Sequence, residues 1–236
     1  MKIDHPEAAQ QNRLLRSLQP ADFALLAPCL VAVSLGQGQV LCEPGDIVEY
    51  VYFPHTAVIS FLAVMRHGQT VETATIGRNG LVGGVAGLGR WRAFARMVVQ
   101  VPGTASRISS TRFRAAFRQS DRLATLVLQC AQAIVVQIQQ TAACNALHGV
   151  EQRLCRWLLL TQDLANTNVL PLTQDFLSQM LGVRRTTVTQ VANKLQTLGM
   201  IRTQRGQIEI VDRKALEQVV CECYEDLRSR HAQYVI

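Results

Sequence analysis

The sequence predicts an α+β chain: an N-terminal antiparallel β-roll of the jelly-roll kind, a long helix, and a C-terminal winged helix-turn-helix. Three observations carry this. Short β-rich runs punctuated by Gly, Pro and Asn fill residues 30–108, a helical apolar period runs from 121 to 147, and a helix–glycine–helix pattern with a hairpin behind it occupies 173–211.

Bulk properties agree. A chain of 236 residues accommodates two domains, and 48% hydrophobic against 17% charged residues supports packed cores rather than disorder. No uninterrupted run of 18 apolar residues occurs and the N-terminus lacks the apolar stretch of a signal peptide, so a cytoplasmic protein with no membrane partner is expected. The seven cysteines are odd in number, irregular in spacing and without a C-x-x-C pair. Reduced, mostly buried thiols are expected, with no disulfide framework, metal site or cofactor.

The elements follow in order. Residues 5–27 read as two short helices, one starting at His5-Pro6-Glu7 and one at Pro20. The runs LVAVSL, QVLCEPGD, VEYVYF, AVISFLAV, TVETATI and ARMVVQV read as strands, with a turn at Arg66-His67-Gly68-Gln69 and a glycine-dense loop at GLVGGVAGLGRW. After Ser120, residues 121–147 form a helix of roughly 40 Å. Leu123, Leu126, Val127, Cys130, Ile134 and Ile138 recur at spacings of three and four, and Val135 and Val136 widen the stripe. A helix apolar on two sides has two partners. One is the β-domain, and the other is expected to be the same helix of a second chain, with those six residues as the seam. Gly149 interrupts the pattern, so the chain divides into 1–120, 121–149 and 150–236.

Within TQDFLSQMLGVRRTTVTQVANKLQTLGMI, Thr173 caps a helix whose apolar side is Phe176, Leu177, Met180 and Leu181, and Gly182 ends it. A second helix begins near Arg184 and buries Val188, Val191, Ala192 and Leu195. Its other face carries Arg184, Arg185, Thr186, Thr187, Thr189, Gln190, Asn193 and Lys194, with no acid. Arginine pairs with guanine, glutamine with adenine, and threonine and lysine suit thymine methyls and phosphates. A hairpin with Arg205-Gly206 at its tip follows, and Asp212 caps a final helix over 213–229. Double-stranded DNA is the partner this pattern predicts, with Thr173, Gln174, Arg184, Arg185, Thr186, Thr187, Thr189, Gln190, Lys194 and Arg205 as contacts. Charge agrees. The net balance is +7, Thr73–Ser120 holds eight arginines and no acid, and Thr173–Gly206 holds five basic residues and one acid, Asp175. These two regions suggest two anionic encounters.

The order of roll, long helix and winged helix resembles the Crp/Fnr family of bacterial transcription regulators over nearly the whole chain, most specifically in LTQDFLSQMLGVRRTTVTQVANKLQTLGMI and less so in VYFPHTAVISFLAV and ETATIGRNGLVG. The resemblance implies a cyclic-nucleotide-binding-like roll, a homodimer along 121–147 and a palindromic operator, and it admits RNA polymerase as a further partner. Arg185 aligns with the family's guanine-reading arginine and Thr187 with a phosphate-contacting threonine. Thr186 and Gln190 replace a glutamate and a second arginine, so a different half-site is expected. The resemblance places an effector pocket at Gly80, Leu81, Val82, Gly83, Arg92, Phe94 and Arg96. The family's cassette glutamate is absent from Gly80-Leu81-Val82 and its arginine from Ala93-Phe94-Ala95. Control by cyclic AMP is therefore not expected, and the effector is left unknown, with Arg92 and Arg96 able to attract another anion. No haem motif surrounds His55, His67 or Cys42. No P-loop, H-E-x-x-H, G-x-S-x-G or cysteine-nucleophile pattern occurs, so the chain is not expected to be an enzyme.

Overall fold

A computed structural model describes residue 9 and residues 11–234, of which 231–234 by backbone alone. The start expected at His5-Pro6-Glu7 lies outside the described residues. Helix α1 (Arg13–Arg16) is capped by Asn12, and α2 (Pro20–Leu26) opens with proline in its first turn. The buried Asn12 amide donates to the carbonyls of Pro54 and Gly80, both at 2.9 Å, which ties this segment to the roll.

The roll holds β1 (Val31–Leu35), β2 (Val40–Cys42), β3 (Tyr50–Pro54), β4 (Val58–Val64), β5 (Thr70–Ile76), β6 (Arg96–Val101) and β7 (Gly103–Ser109). They form two antiparallel sheets, ordered β1-β7-β3 and β2-β6-β4-β5. Strand β7 is central in its sheet although the small, polar TASRIS run gave no strong strand signal. Val31–Leu35 pairs with one of its edges and Tyr50–Pro54 with the other. The expected turn joins β4 and β5, with Gly68 at φ +81°. The glycine-dense segment makes a single 3₁₀ turn, Gly84–Gly87. Gly83, at φ +82°, precedes it where a Cβ would lie 2.8 Å from the Tyr50 carbonyl, so only glycine fits without a shift.

Helix α3 (Ser110–Phe117) leads to Ser120, whose hydroxyl accepts from Leu123 N and starts α4 (Asp121–Leu147). By length and composition α4 is the one helix among the described residues able to cross a bilayer. Its inner face is instead committed to the roll. Leu123, Leu126, Val127 and Cys130 are buried with Phe53, Ile59, Phe61 and Phe113, and Ile134 and Ile138 pack against the same core. This corrects the expected seam: the stripe read for a second chain is the stripe the roll covers. The side facing away carries Leu128 and Val135, both more than half exposed.

Beyond Gly149, α5 (Val150–Ala165) ends at Asn166 in the left-handed region. A short strand β8 (Val169–Leu170), not expected from sequence, joins β10 of the wing. Helices α6 (Gln174–Leu181) and α7 (Arg185–Thr197) and strands β9 (Ile201–Gln204) and β10 (Gln207–Ile210) follow. The single helix expected over 213–229 is two, α8 (Arg213–Val219) and α9 (Cys223–Tyr234), broken at Val220–Glu222. The second core gathers Leu154, Leu158, Leu159, Leu177, Val188, Leu195, Ile208 and Leu216, and it also takes in Leu62 and Val98 from the roll. Gly182 sits against β5, where an added Cβ would stand 3.2 Å from Val71 Cγ2, and the Gln37 side chain donates to the Pro171 carbonyl. The winged helix is thus packed on the roll.

Candidate nucleic-acid interface and effector cavity

The two helices of the 173–198 motif are built by local chemistry. Thr173 Oγ1 accepts from Phe176 N at 3.1 Å, and Asp175 sits in the first turn, where the helix dipole favours an acid. Gly182 takes φ +63° at the C-cap, and Val183 N closes onto Ser178 O. Arg184 is the N-cap of α7 but offers no side-chain cap. The first amides of α7 therefore stay open to an outside acceptor, as at helix ends that receive phosphate. Thr189 Oγ1 donates to Gln174 Oε1 at 2.6 Å and so fixes α7 against α6.

Arg184, Arg185, Thr186, Gln190, Asn193 and Lys194 are exposed, while Gln174, Thr187 and Thr189 are half-buried. Arg205 stands exposed beside Gly206, which turns the wing at φ +71°, and Arg202 and Glu209 pair across the hairpin at 2.8 Å. Two of these cations have partners that sequence reading missed. Arg185 Nη1 lies 3.2 Å from Asp175 Oδ2, and Lys194 Nζ lies 2.6 Å from Glu151 Oε2. The first follows from Asp175 being the lone acid of the segment, at the start of the neighbouring helix. The second joins residues 43 apart and had no local signal.

Of the seven residues expected to make one effector pocket, Leu81, Gly83 and Phe94 line a single cavity, and Gly80, Val82, Arg92 and Arg96 lie outside it. A small cavity of about 40 Å³ between roll and α4 is lined by Phe61, Leu81, Gly83, Phe94, Met97 and Ile134 among others, all apolar. Phe94 is 66% exposed and stacks on Phe61 at 6.3 Å. Gly80 borders the neighbouring space toward Gln137, and Val82 is bridged to Tyr52. Arg92 donates to Gly45 O at 2.6 Å on an outer groove that also holds Asp46 and Glu49. Arg96 is held by both carboxylate oxygens of Glu43, at 2.9 and 3.1 Å. The expectation that Arg92 and Arg96 attract an anion into this pocket is corrected: neither lines the cavity, and both are engaged elsewhere. The wider arginine run behaves similarly. Arg114 serves the carbonyls of Ala86 and Gly89, and Arg107 lies 4.6 Å over the Tyr50 ring. Much of that first basic region holds the roll together.

A winged helix whose recognition helix carries no acid, joined by a long helix to a β-roll that encloses a cavity, defines a DNA-binding regulator with a sensor-like input domain. Family models match in the same order: the cyclic nucleotide-binding domain over residues 32–120 and the Crp-like helix-turn-helix domain over 152–219. The chain belongs to the Crp/Fnr family of transcriptional regulators. Its fold is similar to that of FixK2 from Bradyrhizobium japonicum, with 15% identity over 81% of this chain and 98% of that one and a TM-score of 0.68. It also resembles the c-di-GMP responsive global regulator CLP of Xanthomonas campestris, with 15% identity, 81% and 99% coverage and a TM-score of 0.66. A Crp/Fnr-family regulator from Eubacterium rectale gives 16% identity, 89% and 98% coverage and a TM-score of 0.65. A search of curated proteins by sequence found no match.

Proposed function

We propose that this regulator acts in the cytoplasm as a homodimer on a palindromic operator, with Arg185 reading guanine in each half-site and without control by cyclic AMP. The observation that carries the DNA reading is the exposed N-terminal end of α7, where Arg184, Arg185 and Thr186 surround the open first amides of a helix that itself carries no acid. Gln190, one turn further on, suits an adenine edge, and Thr187 and Arg205 suit backbone phosphates. Dimerisation is supported by the outward side of α4. Leu128, Val135 and Ala142 stand exposed seven residues apart, the repeat of a two-stranded seam. Paired recognition helices would then enter the major groove about one DNA turn apart.

The cavity speaks to the input. A volume of about 40 Å³ is far below the several hundred Å³ of ordinary ligand pockets, and its lining offers no group for a ribose hydroxyl or a phosphate. Selection of bound sequences from a random DNA pool, followed by titration of the selected duplex at rising salt, tests the proposal. Expected are a palindromic motif and an affinity that falls steeply with ionic strength. A flat salt response, or tight cyclic AMP binding by calorimetry, would overturn the corresponding part.

A further inference from the structure

Four chemistry-bearing side chains meet where the long helix hands over to the DNA-binding domain. Cys144 lies in the last turn of α4 and His148 is its C-cap, while Cys221 lies in the break between α8 and α9 and Cys223 opens α9. Their ligand atoms all lie within 4.8 Å of one another. Cys144 Sγ is 3.6 Å from Cys221 Sγ, and Cys223 Sγ is 3.6 Å from His148 Nδ1. We propose that Cys144, His148, Cys221 and Cys223 form a structural Zn²⁺ site that fastens the end of α4 to the last helix of the DNA-binding domain.

The distances suit one ion. Zinc bonds of about 2.3 Å to sulfur and about 2.0–2.1 Å to nitrogen give a tetrahedron with S···S edges of about 3.8 Å and S···N edges of about 3.6 Å. Four protein ligands leave no open position, which makes the site structural rather than catalytic. The three thiols form a buried cluster of their own, separate from both apolar cores, so they do not serve as ordinary hydrophobic filling. Cys130 and Cys155, by contrast, lie inside those cores.

The surroundings are those of a metal site. Nε2 of His148 lies 3.2 Å from Glu222 Oε1, which fixes the ring so that Nδ1 turns to the sulfurs, the arrangement in which a carboxylate orients a ligating imidazole. Gln140 Nε2 donates to Cys223 Sγ at 3.1 Å, as an amide does to a thiolate. Binding displaces three thiol protons to solvent and leaves a centre of net charge −1. The buried guanidinium groups of Arg153 and Arg156 stand close enough to Cys144 to act on it electrostatically, and the Nε of each has no hydrogen-bond partner. They supply the compensating charge.

The sequence argued against such a site because only C-x-C is contiguous. The fold brings it to a C-x₃-H pair at the other side of the DNA-binding domain, 75 to 77 residues away. Metal analysis of the full chain, purified reduced and without chelator, is expected to give about one zinc per chain. Cys223→Ser and His148→Ala should each lower this at least fivefold, and Cys29→Ser should keep it. Cobalt added to the metal-free, reduced wild-type chain should give the intense visible bands of a tetrahedral thiolate complex, saturating at one equivalent and bleached by zinc. This reading needs no variant to fold. Metal-free wild-type protein with only the pale colour of hydrated cobalt would overturn the proposal. So would a chain that lacks metal and counts two thiols short after denaturation, which would make Cys144 and Cys221 a disulfide.

Discussion

Ser60 Oγ lies 2.7 Å from Glu72 Oε2 and the same distance from Gln100 Oε1, so its single proton faces two oxygens. Gln100 Nε2 donates to Thr161 Oγ1 at 2.8 Å, and Thr161 Oγ1 donates to Trp157 O, which fixes the amide oxygen of Gln100 toward Ser60. The one hydroxyl proton of Ser60 can serve only one of its two oxygens, so both 2.7 Å contacts are hydrogen bonds only when Glu72 carries a proton and donates to Ser60 while Ser60 donates to Gln100. Burial pushes its carboxyl up to about 7, against the lowering effect of Ser60, Thr75, Arg156 and Trp157. The chain runs from β5 through β4 and β6 into α5, across the contact between roll and winged helix.

Glu72 is a raised acid, so the folded chain holds a proton that the unfolded chain gives up above about pH 4.5. Stability is expected to fall from there to about pH 7 and to level off above it, by up to ~3 kcal/mol. Glu72→Gln should be neutral near pH 4.5, raise the melting temperature at pH 8 and flatten that slope. Thermal melts across the range decide it, and an unchanged slope counts against the proton.

Arg185→Ala removes the proposed guanine contact. Discrimination between the selected operator and a half-site variant should drop by about 1–3 kcal/mol, while binding to random DNA falls much less. Asp175→Asn removes the carboxylate 3.2 Å from Arg185. The exposed pair contributes at most about 1 kcal/mol to folding, so the variant should stay folded and bind DNA more tightly. Fluorescence anisotropy reads both.

The two sides of α4 separate by substitution. Leu128→Glu and Val135→Glu, on exposed positions, should yield folded monomers in sedimentation and lose operator affinity. Leu126→Ala, buried against the roll, should cost about 2–5 kcal/mol of stability with the oligomeric state kept. The reverse pattern would restore the seam read from periodicity alone.

Removing zinc with a chelator is expected to lower the melting temperature of the reduced chain and weaken operator binding, with both restored by one equivalent of metal. Cys29→Ser should respond as the wild type does.

What the sequence disclosed was local. Thr173, Gly182 and the apolar positions of α6 and α7 act within a turn or two, so the motif was legible to the residue. The α4 helix was equally clear, but a helix apolar on two sides does not say which side meets its own roll, and the brighter stripe of Leu123, Leu126 and Val127 was the inner one. The Ser60–Glu72–Gln100 chain, the Arg185–Asp175 pair and the cysteine cluster depend on packing between separate elements. Single-sequence periodicity carries no such information. Strand β7 was missed because Thr104, Ser106 and Ser109 lack the bulk that marks a buried strand.

Leu62 and Val98 belong to strands of the roll, yet they lie in the hydrophobic core of the winged helix. The reading head is therefore not a detachable part. Cut out at Gly149, residues 150–236 would carry a raw apolar wound where those two side chains had been, and grafted onto another sensor they would need a replacement for them. The two halves of this regulator are expected to melt as one body and to have been shaped by selection as one.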